Sequence, residues 1–155
     1  MEGIAIFDER FIYKFKGTSV NDKYSTVVIG GGLAGLISAY LLAKKGHDIL
    51  LIEMKNYPFH RVCGEYLSNE VLDFLTRENL MPDGYDLPIL THFLFSDTAG
   101  KSVTTPLDMG WFGISGFVLD EHLYHKVVEI GGNVRTVVQV ESVVFDVRDN
   151  QFMLE

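Results

Sequence analysis

Three glycines and one carboxylate carry the clearest chemistry in this sequence. Gly30, Gly32 and Gly35 stand at the spacing G-x-G-x-x-G, and Glu53 closes the next apolar run about 20 residues on. Glycines at this spacing suit a diphosphate. The first allows a tight turn, the second lets the backbone come close to the phosphates, and the third lets a helix pack tightly on a strand. Leu33 and Ala34 lie where the first N–H groups of that helix would point at the anion, with the positive end of the helix dipole behind them. A carboxylate at Glu53 is placed to accept hydrogen bonds from an adenosine ribose, and it disfavours a 2′-phosphate there. FAD and NAD are the ligands this leaves.

The elements that must position these residues can be read around them. Thr26–Ile29 is a short β-branched run of the kind found in buried parallel strands. Leu33, Leu36, Ile37, Tyr40 and Leu41 follow at helical spacing, and Gly46 falls at a helix C-terminus. Ile49–Ile52 is a second strand, which ends on Glu53. Strand, glycines, helix, strand and acid make a βαβ dinucleotide unit with its context intact, which a bare glycine pattern would not be. The alternative is a βαβ unit whose glycines serve packing alone.

The rest of the chain gives an order of elements. Residues 1–22 read as an N-terminal extension ending in a linker, with an added edge strand over Ile4–Phe7 or Phe11–Phe15 as the alternative. Residues 23–155 read as one nucleotide-binding domain. A loop spans Met54–Tyr66, and Ser68 is expected to cap a helix that carries Val71, Leu72, Phe74 and Leu75 and ends at Met81-Pro-Asp-Gly. Leu90–Ser96 and Lys101–Thr105 are expected to form a hairpin through Asp97-Thr-Ala-Gly, followed by a stretch rich in glycine and aromatics, Leu107–Phe117. Asp120 is expected to cap a helix from Glu121 to about Ile130. A strand at Val134–Val137 should join the parallel sheet beside the Glu53 strand. A last hairpin should pair Val140–Val147 with Gln151–Leu154. The fold class is therefore α/β, a Rossmann-like βαβ domain with a parallel sheet and inserted antiparallel hairpins.

Composition bounds the partners. The chain has 155 residues, 47% of them hydrophobic, which suits one domain with a real core. A net charge of −8 and a pI near 5.0 argue against a nucleic-acid surface. One cysteine, Cys63, excludes an internal disulfide and multi-cysteine metal frameworks. No apolar run reaches the roughly 18 residues of a spanning helix, and acids among the first residues speak against a signal peptide. A cytoplasmic setting is the expectation.

Two further stretches carry a resemblance. Phe59-His-Arg-Val-Cys-Gly-Glu-Tyr-Leu-Ser resembles the R-x-C-G-E-x-L-S segment of a flavoprotein family. That family spans geranylgeranyl-reductase-like enzymes, flavin monooxygenases and halogenases, all with the para-hydroxybenzoate hydroxylase fold. Ile114-Ser-Gly-Phe-Val-Leu-Asp is similar to its S-R-x-x-L-D segment, and the run from Val134 to Val143 is similar to the strand whose later valine lies by the adenine. The resemblance covers about residues 23–155. It implies FAD, with Gly30, Gly32, Gly35 and Glu53 on the ADP half. Arg61 would lie near the pyrophosphate and ribityl chain, Cys63, Gly64 and Glu65 would pass the flavin ring, and the Val140 backbone would cover the adenine.

Two departures qualify it. Gly116 stands where the family usually has arginine, and the family's later G-D-A and G-A-D-G motifs are not in these residues. The resemblance thus implies the N-terminal part of a longer FAD-dependent oxidoreductase, incomplete at the C-terminus and inactive by itself. Such an enzyme would take electrons from a nicotinamide or another donor, then reduce a carbon–carbon double bond or hydroxylate an apolar, isoprenoid or aromatic substrate. The competing readings are an NAD-dependent dehydrogenase and a nucleotide-binding fragment without turnover.

Several residues have a plainer reading beside the chemical one. Cys63 is either a redox thiol or a small packing residue near the cofactor, since one cysteine cannot make a dithiol couple. Glu65 is either an acid for proton delivery or a loop carboxylate bonded to nearby N–H groups. His122, His125 and Glu129 share a helix face at spacings usual for a solvated surface, so no metal site is expected. Trp111, Phe112 and Phe117 line an apolar substrate cavity or simply form core.

Overall fold

The computed structural model describes residues 13–15, 23–61 and 65–155. Among them the elements run β1 (Tyr13–Phe15), β2 (Thr26–Ile29), α1 (Leu33–Lys44), β3 (Ile49–Glu53) and β4 (Tyr66–Ser68). A 3-10 turn at Asn69–Val71 leads into α2 (Leu72–Arg77). The chain continues through β5 (Ile89–Ser96), β6 (Ser102–Gly113), α3 (Gly116–Glu129), β7 (Asn133–Thr136), β8 (Val143–Asp146) and β9 (Gln151–Leu154). The described residues divide into two compact units, one within 1–59 and 123–155 and the other within 60–122.

The first unit is built on the parallel sheet β2-β3-β7. Val27 pairs with Leu50 and Ile29 with Ile52, while Ile52 and Glu53 pair with Arg135 and Thr136. The expected strand beside Glu53 is therefore present. Every residue of β3 is buried, as a central parallel strand requires. Helix α1 packs on β2 and β3 with Gly35, Leu36, Ala39 and Tyr40 buried, and it ends at Lys44, just before Gly46 at φ +85°. One cluster gathers Val27, Leu50, Ile52 and Leu154, with Phe152, Val138 and Val140 packed against it. Because side chains alternate along a strand, Val27 and Ile29, with Leu50 and Ile52, share the face that β9 covers. β9 and β8 form the expected last hairpin, although β8 begins at Val143 rather than Val140. β1 lies parallel to β9 as an edge strand, the alternative reading of Phe11–Phe15, while Ile4–Phe7 falls outside the described residues.

Leaving β7, Val137 takes φ +60°, and the Val138 N–H donates to the Glu53 backbone carbonyl at 3.2 Å. A β-branched residue is strained there by roughly 1–2 kcal/mol. Val137 is 66% exposed, so its side chain gives little packing in return. Val137→Asn, which suits this conformation, should raise stability by about 1 kcal/mol, visible as a higher melting temperature. An unchanged or lower one would show that the strain is not relieved this way.

The second unit holds the antiparallel sheet β4-β6-β5. Its long hairpin was expected, but not its extent. β6 runs through Trp111 and Phe112 to Gly113, where an irregular glycine-rich stretch was anticipated. Two close approaches explain those glycines. Gly110 takes φ +66° with Asn69 beside it, and a Cβ on Gly113 would come within 2.7 Å of Pro88. β4 was also missed, because Tyr66–Ser68 was taken as loop and cap. It pairs with the end of β6, and Tyr66 stacks diagonally on Trp111 at 4.5 Å. Every residue of β5 is exposed, and its one neighbour among the described residues is β6.

Both helix starts in this unit differ from expectation. Ser68 does cap, its Oγ accepting the Glu70 N–H at 3.4 Å, but the first turn is 3-10. α2 ends earlier than expected, at Arg77, where Asn79 takes φ +57° and the Leu80 N–H returns to the Leu75 carbonyl at 2.8 Å. α3 begins at Gly116, so Asp120 is inside the helix and does not cap it. Ser115 does, its Oγ accepting the Phe117 N–H at 3.3 Å.

Candidate functional site

In the first unit the carboxyl ends of β2, β3 and β7 lie side by side, the edge where open parallel sheets bind ligands. β2 runs out into Gly30, whose N–H donates to the Ile52 carbonyl at 2.9 Å and whose φ of +96° suits glycine and little else. Gly31 follows, buried. Gly32 is the N-cap of α1 in an extended conformation, φ −75° and ψ −179°, with no side chain to fold over the helix end. The Leu36 N–H to Gly32 carbonyl bond, 2.9 Å, is the first of the helix. The N–H groups of Leu33, Ala34 and Gly35 precede it, so they have no intrahelical acceptor. Gly35 is the contact that brings helix and turn together, because a Cβ there would overlap the Gly30 carbonyl oxygen.

Glu53 ends β3, 4% exposed, and it closes this turn. Its Oε2 accepts the Gly31 N–H at 2.8 Å and its Oε1 accepts the Lys55 N–H at 2.9 Å. These are charge-assisted bonds, the stronger kind. A carboxylate has about four lone-pair sites, so it can accept more than these two bonds. Across from it, Thr136 at the end of β7 donates its hydroxyl to Asn56 Oδ1 at 2.8 Å, tying the loop after β3 to the sheet. A side-chain-free turn, open helix N–H groups and a buried carboxylate fit the ADP half of a dinucleotide. Val140 packs half-buried on the hydrophobic cluster under this sheet.

The other candidates are spread over both units. Arg61 is engaged by Asp120 of α3, Nε to Oδ2 at 2.9 Å, and the carboxylate is 3% exposed. Asp120→Asn keeps an acceptor but loses the charge, so stability should drop by about 1–2 kcal/mol in a denaturant titration. A loss below about 0.3 kcal/mol would make the pair a surface ion pair in effect. Glu65 is exposed at φ +55°, and its Oε1 accepts the Ser115 hydroxyl at 2.9 Å. Phe117 stacks on His60 at 4.7 Å, and Phe112 is buried. Cys63 and Gly64 lie outside the described residues. His125 and Glu129 are exposed, and Glu129 meets Lys126 at 3.6 Å. Among the described residues no group of three His, Cys, Asp or Glu is placed to hold a metal.

The structure thus brings together Gly30, Gly32, Leu33, Ala34, Gly35 and Glu53. Sequence reasoning missed Gly31 and Tyr57. A Cβ on Gly31 would overlap the Tyr57 hydroxyl and come within 2.9 Å of Glu53 Cβ. The signal for Gly31 was available as a third glycine inside the turn. Tyr57 had none, since its partner is reached only through the fold.

Comparison with known proteins finds similar sequences and folds. Residues 28–77 match the family described as NAD(P)-binding Rossmann-like domain. A digeranylgeranylglycerophospholipid reductase of Sulfolobus acidocaldarius is 40% identical over 57 residues, covering 34% of this chain and 12% of the reductase. Conditioned medium factor receptor 1 of Dictyostelium discoideum is 23% identical over 137 residues, covering 79% of this chain and 27% of the receptor. Among solved structures, the myxobacterial chondrochloren halogenase, described as a variant of FAD-dependent halogenases, superposes with a TM-score of 0.62. It is 24% identical, and the match covers 78% of this chain and 30% of the halogenase. The chain spans a third or less of each of these three proteins. No helix among the described residues is long and apolar enough to cross a membrane.

Proposed function

We propose that this chain, whose residues 28–77 match the family described as NAD(P)-binding Rossmann-like domain and whose fold is similar to that of an FAD-dependent halogenase, binds FAD in its first unit by the ADP half. The observation that carries this is the Glu53 carboxylate, buried against the Gly31 N–H at the edge where Gly30 turns and α1 begins. Gly30, Gly32, Leu33, Ala34 and Gly35 hold the diphosphate, Glu53 takes the ribose, and the Val140 backbone covers the adenine. Arg61, Cys63 and Gly64 are assigned to the flavin half by resemblance, with Cys63 and Glu65 as candidate proton or electron carriers.

In a complete oxidoreductase the bound flavin would supply hydride or activate O2. The Sulfolobus relative, named for an isoprenoid lipid, favours reduction of a carbon–carbon double bond, and the halogenase fold favours an O2-using reaction on an apolar substrate. NAD(P) is the second reading, favoured by the description of the matched family.

Titration of the purified chain with FAD, ADP and NADH separates these. Binding of FAD, with ADP competing within about tenfold because the built contacts face the ADP half, is the expected result. Tighter binding of NADH than of FAD would overturn it in favour of the second reading.

A further inference from the structure

Tyr57 touches the nucleotide turn from a direction that the glycine pattern does not describe. It lies on the loop after β3, which is anchored by the Lys55 N–H on Glu53 and by Thr136 on Asn56. Its hydroxyl donates to the Gly31 carbonyl at 2.5 Å. Its ring stacks on Tyr124 of α3, centroids 4.8 Å apart and planes at 17°, with Phe59 at 5.5 Å on a tilted ring. The space that a side chain at position 31 would need is the space the hydroxyl fills.

Two peptide planes make up this turn, and each is free to rotate where it is flanked by glycine. Glu53 fixes the first by accepting the Gly31 N–H at 2.8 Å. The second, between Gly31 and Gly32, is fixed by Tyr57 through its carbonyl. In a planar trans peptide the C=O and N–H point in opposite directions. A carbonyl held toward Tyr57 therefore turns the Gly32 N–H away from Tyr57. Successive N–H groups in fixed orientations make an anion-binding concavity, and here they continue into the open N–H groups of Leu33 and Ala34.

We infer that Tyr57 is a positioning residue for diphosphate binding. It locks the Gly31–Gly32 peptide so that the Gly32 N–H is preset for a phosphate oxygen, and the Tyr124 stack holds Tyr57 in place. The inference rests on the nucleotide reading above and adds a residue that acts through the Gly31–Gly32 peptide. It also gives Gly31 its reason, since alanine there would displace the hydroxyl and unlock the peptide.

The test measures ADP affinity and melting temperature together. Tyr57→Phe removes only the hydroxyl and should weaken ADP by roughly three- to tenfold while leaving the melting temperature within about a degree. Tyr124→Leu keeps the hydroxyl but loosens the ring and should weaken ADP by less. Gly31→Ala should weaken it strongly, and by a smaller factor when Tyr57→Ala is already present, because one lock is then lost only once. Parent-like ADP affinity in Tyr57→Phe would overturn the inference while leaving the nucleotide site standing. So would losses that simply multiply between positions 31 and 57, or an affinity loss that merely tracks a lower melting temperature. A parent chain that binds neither ADP nor FAD would overturn the site and the inference together.

Discussion

Gly35→Ala is expected to remove nucleotide binding while leaving a folded protein. The added Cβ overlaps the Gly30 carbonyl oxygen and lies 3.1 Å from the Gly30 carbonyl carbon. These are backbone atoms, so no rotamer change relieves the contact. Either α1 slides away from β2 or the turn opens, at a cost of about 1–3 kcal/mol. Both movements shift the Leu33 and Ala34 N–H groups away from the turn they complete. ADP affinity should therefore fall at least tenfold, read by titration, with circular dichroism still showing the helical signal. Parent-like affinity in Gly35→Ala would mean that α1 is not the diphosphate end of the site.

Glu53→Ala should produce the larger stability loss. Two N–H groups lose their acceptor, Gly31's in a buried place and Lys55's in a partly buried one. Leaving a buried donor unmade costs about 1–3 kcal/mol, so about 2–4 kcal/mol for the pair is expected, measured by denaturant unfolding. ADP affinity should fall in parallel, because the turn and the proposed ribose partner go at once. Glu53→Gln keeps one acceptor oxygen and sets an NH2 against the other donor, so it should be intermediate in both measurements. If Glu53→Ala were as stable as the parent, the carboxylate would be no clamp on the turn.

The βαβ unit was legible in the sequence because its determinants are local. A β-branched run, glycines at fixed offsets, an apolar helix face and a terminal acid all act within one short stretch. The long hairpin was legible for the same reason, through Asp97-Thr-Ala-Gly. Asp120 shows where this stops. Asp followed by Glu121 reads as a cap, yet the same carboxylate is drawn to Arg61, far back in the chain, and Ser115 takes the capping role. β4 was hidden likewise, since Tyr66–Ser68 becomes a strand only by pairing with Trp111–Gly113. Tyr57 is the extreme case. Its environment includes Gly31, Tyr124 and Phe59, and only the folded chain brings the first two to it.

Strand β5 has a consequence for how the molecule behaves in a tube. Ile89–Ser96 holds no charged residue apart from the option of His92, and one of its hydrogen-bonding edges has no described neighbour, while Ile89, Leu94 and Phe95 face outward. Natural edge strands guard themselves with lysine, proline or brevity, and this one has none of these. Colloidal and conformational stability are therefore separate properties here. A chain well below its melting temperature should still scatter light increasingly as its concentration rises, and storage life will follow dilution more closely than it follows heat.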